Sequence, residues 1–433
     1  MSNPVNYTEK FNSFINLLIY KKLDAKEQQF VKKIAFAHRL TFQEFRQIVE
    51  VVRDLALWGE DGLDGWWQQQ VSQSQLQGIR LKKHLLRRLN AHIETLKAAP
   101  KAYPAEGFTR PKKREKSRIV TEKSDKKIHG MCPVASPKTV CCNLRTIDAV
   151  ENCVFGCSYC SIQTFYREKI VFDENFAEKL QQISVEPDRF YHFGTGQASD
   201  SLAWGNRNGN LDALCKFAEE NPNVLLEFKT KSNNIGYFLE NDTPPNIVCS
   251  WSLNTPEIIR NEEHFTANLA QRIQAARDVA DNGVKVSFHF HPMVYHQGWE
   301  QKYPAIAAEL LQRFRPDEVL FISFGSVTLI KPVIKKIRRL GHQTKMLQMP
   351  MVADPHGKLT YPDEIKIRMF KTMFDAFAPW RDAVFFYLCM EKAAIWEAVF
   401  GSAYETNEIF ERDFGRKTMC KIRRPSDAFI DLI

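Results

Sequence analysis

The sequence predicts an α/β protein: a partial (β/α)6 barrel of the TIM type, preceded by an N-terminal helical domain. Three observations carry this. From Arg145 onward, short apolar runs rich in β-branched and aromatic residues alternate with helical stretches. Successive runs start about 20–45 residues apart, the rhythm of βα units. Runs such as Val224-Leu225-Leu226-Glu227-Phe228 are continuous rather than alternating, as parallel strands covered on both faces should be.

Residues 1–98 read as a helical module. Phe11, Phe14, Leu17 and Leu18 recur at helical spacing, and Phe30, Ile34, Phe36, Phe42, Phe45, Ile48, Val51 and Val52 continue the pattern. Thr41, with Glu44 three residues on, is a capping box that starts a helix at Phe42. Gly59 to Gly65 is a break, and Leu76 to Leu96 is a basic amphipathic helix. Residues 99–130 read as a basic linker. The barrel is expected over 131–340, with strands at Arg145–Val150, Arg189–Phe193, Val224–Thr230, Ile247–Leu253, Lys285–Val294 and Glu318–Val327. Helices are expected at Asn175–Ile183, Leu211–Glu220, Leu269–Asn282 and Tyr303–Phe314. Residues 341–433 should add a hairpin, a strand and helices packed on the barrel. The hairpin runs from Met346 to Tyr361 and turns at Asp354-Pro355-His356-Gly357.

The balance of 44% hydrophobic and 26% charged residues excludes wholesale disorder. No run of about 18 apolar residues exists, so no membrane span is expected. Met1 to Lys10 lacks a charged segment followed by an apolar one, so no secretory signal is expected. Ten cysteines in 433 residues are too few for a disulfide scaffold. Six of them cluster between Cys132 and Cys160, which suggests metal binding in a reducing cytoplasm. The net charge of +9 is unevenly placed: Arg110 to Lys127 holds nine basic residues against three acidic ones. Such a run is a solvated linker or a phosphate-contacting arm.

The strongest motif is Cys153-Val154-Phe155-Gly156-Cys157-Ser158-Tyr159-Cys160, a C-x3-C-x2-C. Spacing i, i+4, i+7 would also place three cysteines on one helix face. Asn152 and Gly156 favour a loop that wraps an ion cluster instead. A structural zinc site needs a fourth ligand, for which Cys141, Cys142 and His192 are candidates without standard spacing. Three close thiolates suit a [4Fe–4S] cluster and leave one iron open to a substrate or cofactor.

With an aromatic before its last cysteine and a strand before its first, this motif resembles that of the radical S-adenosylmethionine (SAM) superfamily. The series Gly194-Thr195-Gly196-Gln197-Ala198-Ser199-Asp200-Ser201-Leu202, Leu226 to Lys231, Ser250-Trp251-Ser252-Leu253-Asn254, Phe288-His289-Phe290-His291-Pro292, Gly298-Trp299-Glu300 and Tyr387 to Glu391 resembles the spore photoproduct lyase family. The resemblance covers about 131–401. It implies a barrel of the radical SAM kind, with Cys153, Cys157 and Cys160 on the cluster and SAM on the open iron. It further implies SAM contacts at Gly194, Gly196, Ser199, Asp200, Lys231, Ser252 and Asn254. Tyr159 would lie beside the adenine or the radical path. His289 and His291 share one strand face by period-two spacing. If that face is inward, they line the cavity or fill the barrel core.

Two positions depart from the lyase. Its hydrogen-donor cysteine stands three residues before the aspartate of the Ser-Asp pair; here that position is Gln197. The tyrosine that follows its third cluster cysteine is Ser161 here. Cys389 can replace the donor if its strand closes the barrel. Cys132, Cys141 and Cys142 are candidates for an auxiliary cluster. The leading expectation is a radical SAM enzyme acting on DNA or another nucleic acid, supplied with electrons by a flavodoxin or ferredoxin. A radical SAM enzyme with a non-DNA substrate and a zinc-stabilised nucleic-acid-binding protein remain as alternatives.

Overall fold

The computed structural model describes residues 6–111, 118–132, 138–164, 169–354 and 357–422. An eight-stranded sheet forms its scaffold. The strands are β1 (His129–Met131), β2 (Arg145–Ile147), β3 (Tyr191–Thr195), β4 (Val224–Thr230), β5 (Ile247–Ser252), β6 (Lys285–Met293), β7 (Val319–Ser326) and β8 (Phe385–Leu388). They lie side by side in chain order. Only β1 runs antiparallel to its neighbour; every later pair is parallel. Sequential parallel strands with crossovers of one hand keep their helices on one face, so the sheet curls into a part-barrel.

The outer face of the sheet is covered by amphipathic helices. Asn210–Glu220 buries Leu211, Leu214 and Phe217. Leu269–Asp281 buries Ile273, Ala276 and Val279, and Trp299–Arg313 buries Tyr303, Ile306 and Leu310. Each set repeats at spacing three or four, as one helix face requires. With both faces covered, β5 is buried at all six positions. The N-terminal helices Tyr7–Phe14, Ala25–His38, Phe42–Trp58, Leu63–Ser72 and Gly78–Ala98 share one apolar core with the barrel. The Thr41–Glu44 capping box forms, and Asp24 and Glu27 make a second. Arg338 donates to both carboxylate oxygens of Asp54, at 2.8 and 2.7 Å, joining the helices to the barrel.

The basic stretch is more structured than a solvated linker. Arg118–Glu122 is a strand, paired parallel with Lys169–Asp173 in a small separate sheet. Its end at His129–Met131 becomes the edge strand β1. Residues 112–117 of the charge run lie outside the described residues. The sheet also extends past residue 340, because β8 pairs parallel with β7 at Phe321–Phe385. The hairpin is short, Val352–Ala353 against Leu359–Thr360, and Thr328–Leu329 adds a third strand. Its turn residues Pro355 and His356 lie outside the described residues. Met346 and Met349 are buried in the core rather than displayed.

Candidate functional site

The strands end around a cavity of about 730 Å³. Its wall takes Gly196 and Gln197 from beyond β3, Lys229 and Lys231 from the end of β4, and Ser252 from the end of β5. His291 from β6, Ser326 from β7 and Cys389 from beyond β8 complete it. This is the C-terminal rim, where barrel chemistry concentrates.

Cys153, Cys157 and Cys160 all line this cavity. They sit on a loop and not on a helix face. Gly156–Cys157 pairs antiparallel with Glu263–His264. The Ser158 N–H donates to the Glu262 carbonyl at 2.8 Å, and the Cys160 N–H to the Cys157 carbonyl at 3.1 Å. A chain anchored outward in this way cannot continue a helical ladder, so the helical cysteine stripe is ruled out. Burial pushes the Cys157 thiol up, while the Lys231 charge pulls against it. Tyr159 donates its phenol to Glu263 at 2.5 Å, and Glu263 is paired with Arg272 at 2.6 Å. Burial, then the Glu263 charge, raises the Tyr159 phenol well above its ordinary value, so it stays protonated.

Several expected ligand residues do face the cavity. Gly196 has φ +88°, and a Cβ there would lie 2.5 Å from Ser201 Oγ. Only glycine lets the chain turn this closely beside the wall. The Lys231 ammonium sits 6.0 Å from the Tyr159 ring centroid. The Ser252 hydroxyl is buried on the wall with no hydrogen-bond partner among the described residues. An unsatisfied buried hydroxyl is costly unless a ligand completes it. Ser199 donates to the Asn152 carbonyl at 3.2 Å. Asp200 lies on the wall, but both its oxygens serve the protein: they accept from Thr230 Oγ1, the Lys231 N–H, and the Leu202 and Ala203 N–H groups.

Two expected contacts fall outside the cavity. Gly194 is a residue of β3, paired with Thr146 and Glu227, and a Cβ there would lie 3.0 Å from Leu144 Cδ1. Asn254 is fully buried behind the wall. It donates to the Pro292 carbonyl at 2.9 Å and accepts from Tyr303 Oη at 2.7 Å, so its amide is occupied. The zinc candidate His192 is buried against Glu227 at 2.9 Å and does not reach the cysteine loop. Gln197 and Cys389 both line the cavity, and burial pushes the Cys389 thiol up. Cys141 and Cys142 lie toward Cys389, where the Val140 N–H donates to the Glu391 carbonyl at 3.0 Å.

Sequence reasoning missed Lys229, Glu263 and Arg272. Lys229 was recoverable, because it stands two residues before Lys231 on a strand and so shares its face. Glu263 and Arg272 carry no local signal; they meet Tyr159 only through the fold.

Residues 145–348 match the spore photoproduct lyase family. The spore photoproduct lyase of Geobacillus sp. (strain Y412MC61) is 25% identical over 208 residues, 46% of this chain and 61% of that protein. The spore photoproduct lyase of Bacillus subtilis (strain 168) is 24% identical over 208 residues, with the same coverage of 46% and 61%. The chain thus spans about three fifths of these curated relatives. Among solved structures, a spore photoproduct lyase mutant with bound AdoMet and dinucleoside spore photoproduct superposes with TM-score 0.52 at 20% identity, covering 62% of this chain and 82% of that one. Among the described residues no helix is long and apolar enough to cross a membrane. By the family match and the curated relatives, residues 145–348 of this chain are similar to the spore photoproduct lyases.

Proposed function

We propose that this chain is a radical SAM enzyme, lyase-like in its chemistry, whose substrate is a damaged or otherwise modified nucleic acid. One observation carries the reading: Cys153, Cys157 and Cys160 line the same cavity as Lys231 and the Ser252 hydroxyl, which has no partner among the described residues. The donor set fits the group. Three thiols suit a [4Fe–4S] cluster with one open iron. Lys231 supplies a cation for the SAM carboxylate, Ser252 a hydroxyl, and Gly196 the room for close approach. When bound, the cluster and SAM supply reductive cleavage to methionine and a 5′-deoxyadenosyl radical.

The chain's own residues orient and enclose. Tyr159, held by Glu263, keeps its ring beside Lys231 over the cysteine loop. Gln197 occupies the place of the lyase's hydrogen-donor cysteine, and an amide does not donate a hydrogen atom as a weak S–H does. Cys389, across the same cavity, takes that role. Exposed basic residues of the Lys331–Leu340 helix, which begins just beyond the cavity-lining Ile330, favour a polyanionic substrate. A small electron-transfer protein of the flavodoxin or ferredoxin class supplies the reducing electron.

The test is anaerobic incubation of the reduced, iron-loaded chain with SAM and ultraviolet-irradiated DNA. Release of 5′-deoxyadenosine together with restored thymines supports the reading. Release of 5′-deoxyadenosine with no change in the DNA moves the substrate outside DNA damage.

A further inference from the structure

The cysteine loop is gripped by two consecutive glutamates. Gly156–Cys157 pairs antiparallel with Glu263–His264, and the Ser158 N–H donates to the Glu262 carbonyl at 2.8 Å. Glu262 ends the helix Pro256–Glu262, and Glu263 begins the short strand that follows. Their side chains serve different parts of the molecule. Glu263 reaches Tyr159 and Arg272 beside the cavity, whereas Glu262 reaches residues that belong to the N-terminal part of the chain or are bonded to it.

The Glu262 side chain is fully buried, and three donors meet on it. Its Oε1 accepts the Tyr103 hydroxyl at 2.9 Å and the Lys345 N–H at 2.9 Å. Its Oε2 accepts the Thr344 hydroxyl at 2.6 Å. A buried carboxylate with donors on both oxygens is held firmly, because each lost bond leaves charge facing apolar surroundings.

The donors are in turn tied to the N-terminal helices. The Thr344 N–H donates to the Leu57 carbonyl at 2.8 Å. The Lys345 ammonium donates to the Trp58 carbonyl at 2.8 Å and to Glu60 at 2.9 Å. Leu57 and Trp58 end the helix Phe42–Trp58, and Tyr103 follows the helix Gly78–Ala98. The residues before Glu262 repeat the pattern. Asn261 accepts the Phe108 N–H at 2.7 Å, and Arg260 donates to the Ala105 carbonyl at 2.8 Å. A Cβ at Gly107 would lie 2.7 Å from Arg260 Cδ, so this segment sits as close to the helix as glycine permits.

We infer that Glu262 is a positioning residue for the cysteine loop, its carboxylate fastening the N-terminal helices to the strand that pairs with Cys157. Helices outside the family match at 145–348 thereby help to set where the three thiols sit. The purpose of this joint rests on the cluster reading of the proposed function. Its bonds are protein bonds, so its test needs neither iron nor substrate.

Hydrogen–deuterium exchange of the full chain, read on the peptide that spans Gly156 to Cys160, is that test. Glu262→Gln sets an amide N–H against a donor whichever way the group turns. Tyr103→Phe is milder: it removes one hydroxyl and keeps the ring. Loop amides exchange by local opening, so exchange should quicken about tenfold in Glu262→Gln and about threefold in Tyr103→Phe. Glu318→Gln is the control. Glu318 is a buried carboxylate just before β7, at the opposite end of that strand from the cavity, and it accepts from Arg277 at 2.9 and 2.7 Å. Its substitution should leave loop exchange unchanged. Loop exchange unaltered in both Glu262→Gln and Tyr103→Phe, or quickened equally by Glu318→Gln, overturns the role. In the iron-loaded chain, iron release to a chelator should quicken by the same factors. An unaltered chain that takes up no iron overturns the cluster reading alone, and the exchange comparison still decides whether Glu262 holds the loop.

Discussion

Asp200 fixes Lys231 from behind: its carboxylate accepts the Lys231 backbone N–H at 2.7 Å and the Thr230 hydroxyl at 2.7 Å. The loop after β3 is thereby tied to the end of β4, and the lysine reaches the cavity from a rigid base. Asp200→Ala leaves these buried donors unmet and should destabilise the fold by about 2–3 kcal/mol. Chemical denaturation would show a lowered midpoint with an unchanged slope.

Ser252 and Asn254 separate ligand contact from architecture. Ser252→Ala removes a buried hydroxyl that has no partner among the described residues, so the ligand-free chain should gain about 1 kcal/mol of stability. SAM affinity should fall about tenfold, as loss of one hydrogen bond predicts. Asn254→Ala strips partners from Tyr303 and Pro292 and should cost about 2–3 kcal/mol of stability. Paired calorimetry of SAM binding and thermal unfolding checks both; equal effects of the two substitutions would contradict the assignment.

Much of this division was beyond the sequence. The strands of the barrel were legible because Val224 to Phe228 and Ile247 to Trp251 are mostly apolar without strict alternation, as strands covered on both faces are. The cysteine motif was legible because its spacing is local. Gly194 and Asn254 lie off the cavity wall because a motif names neighbours in sequence, whereas the cavity selects by strand face and depth. The strand Arg118–Glu122 was hidden among charges because it is largely exposed and lacks an apolar stripe. The pairing of β8 with β7 links Phe321 and Phe385 across a long connection that no local pattern reports.

Acid should loosen the contact between Glu257 and its cations. Burial works against ionisation of Glu257, but His296 and Lys302 outweigh it and lower the carboxyl to about 2. The stabilisation is therefore complete above the unfolded value near 4.5 and is lost as pH falls toward 2. Because the site is partly open to solvent, it is worth about 1 kcal/mol. Urea midpoints of Glu257→Gln should show a shallower decline than the unaltered chain between pH 4.5 and 2.

The N-terminal helices should not come away from the barrel freely. Arg338→Leu strands the buried Asp54 carboxylate and should cost about 3–5 kcal/mol. Limited proteolysis should then release the first helices sooner than in the unaltered chain. Unchanged cleavage would show that the shared apolar core alone sets the junction.

The central claim is that Cys153, Cys157 and Cys160 together hold an iron–sulfur cube at the barrel mouth. Iron and zinc analysis of the anaerobically reconstituted chain tests it, alongside a variant with all three cysteines replaced by alanine. The account predicts about four iron atoms per chain and their loss in the variant. A single zinc per chain, or full iron retained without the three thiols, would contradict it.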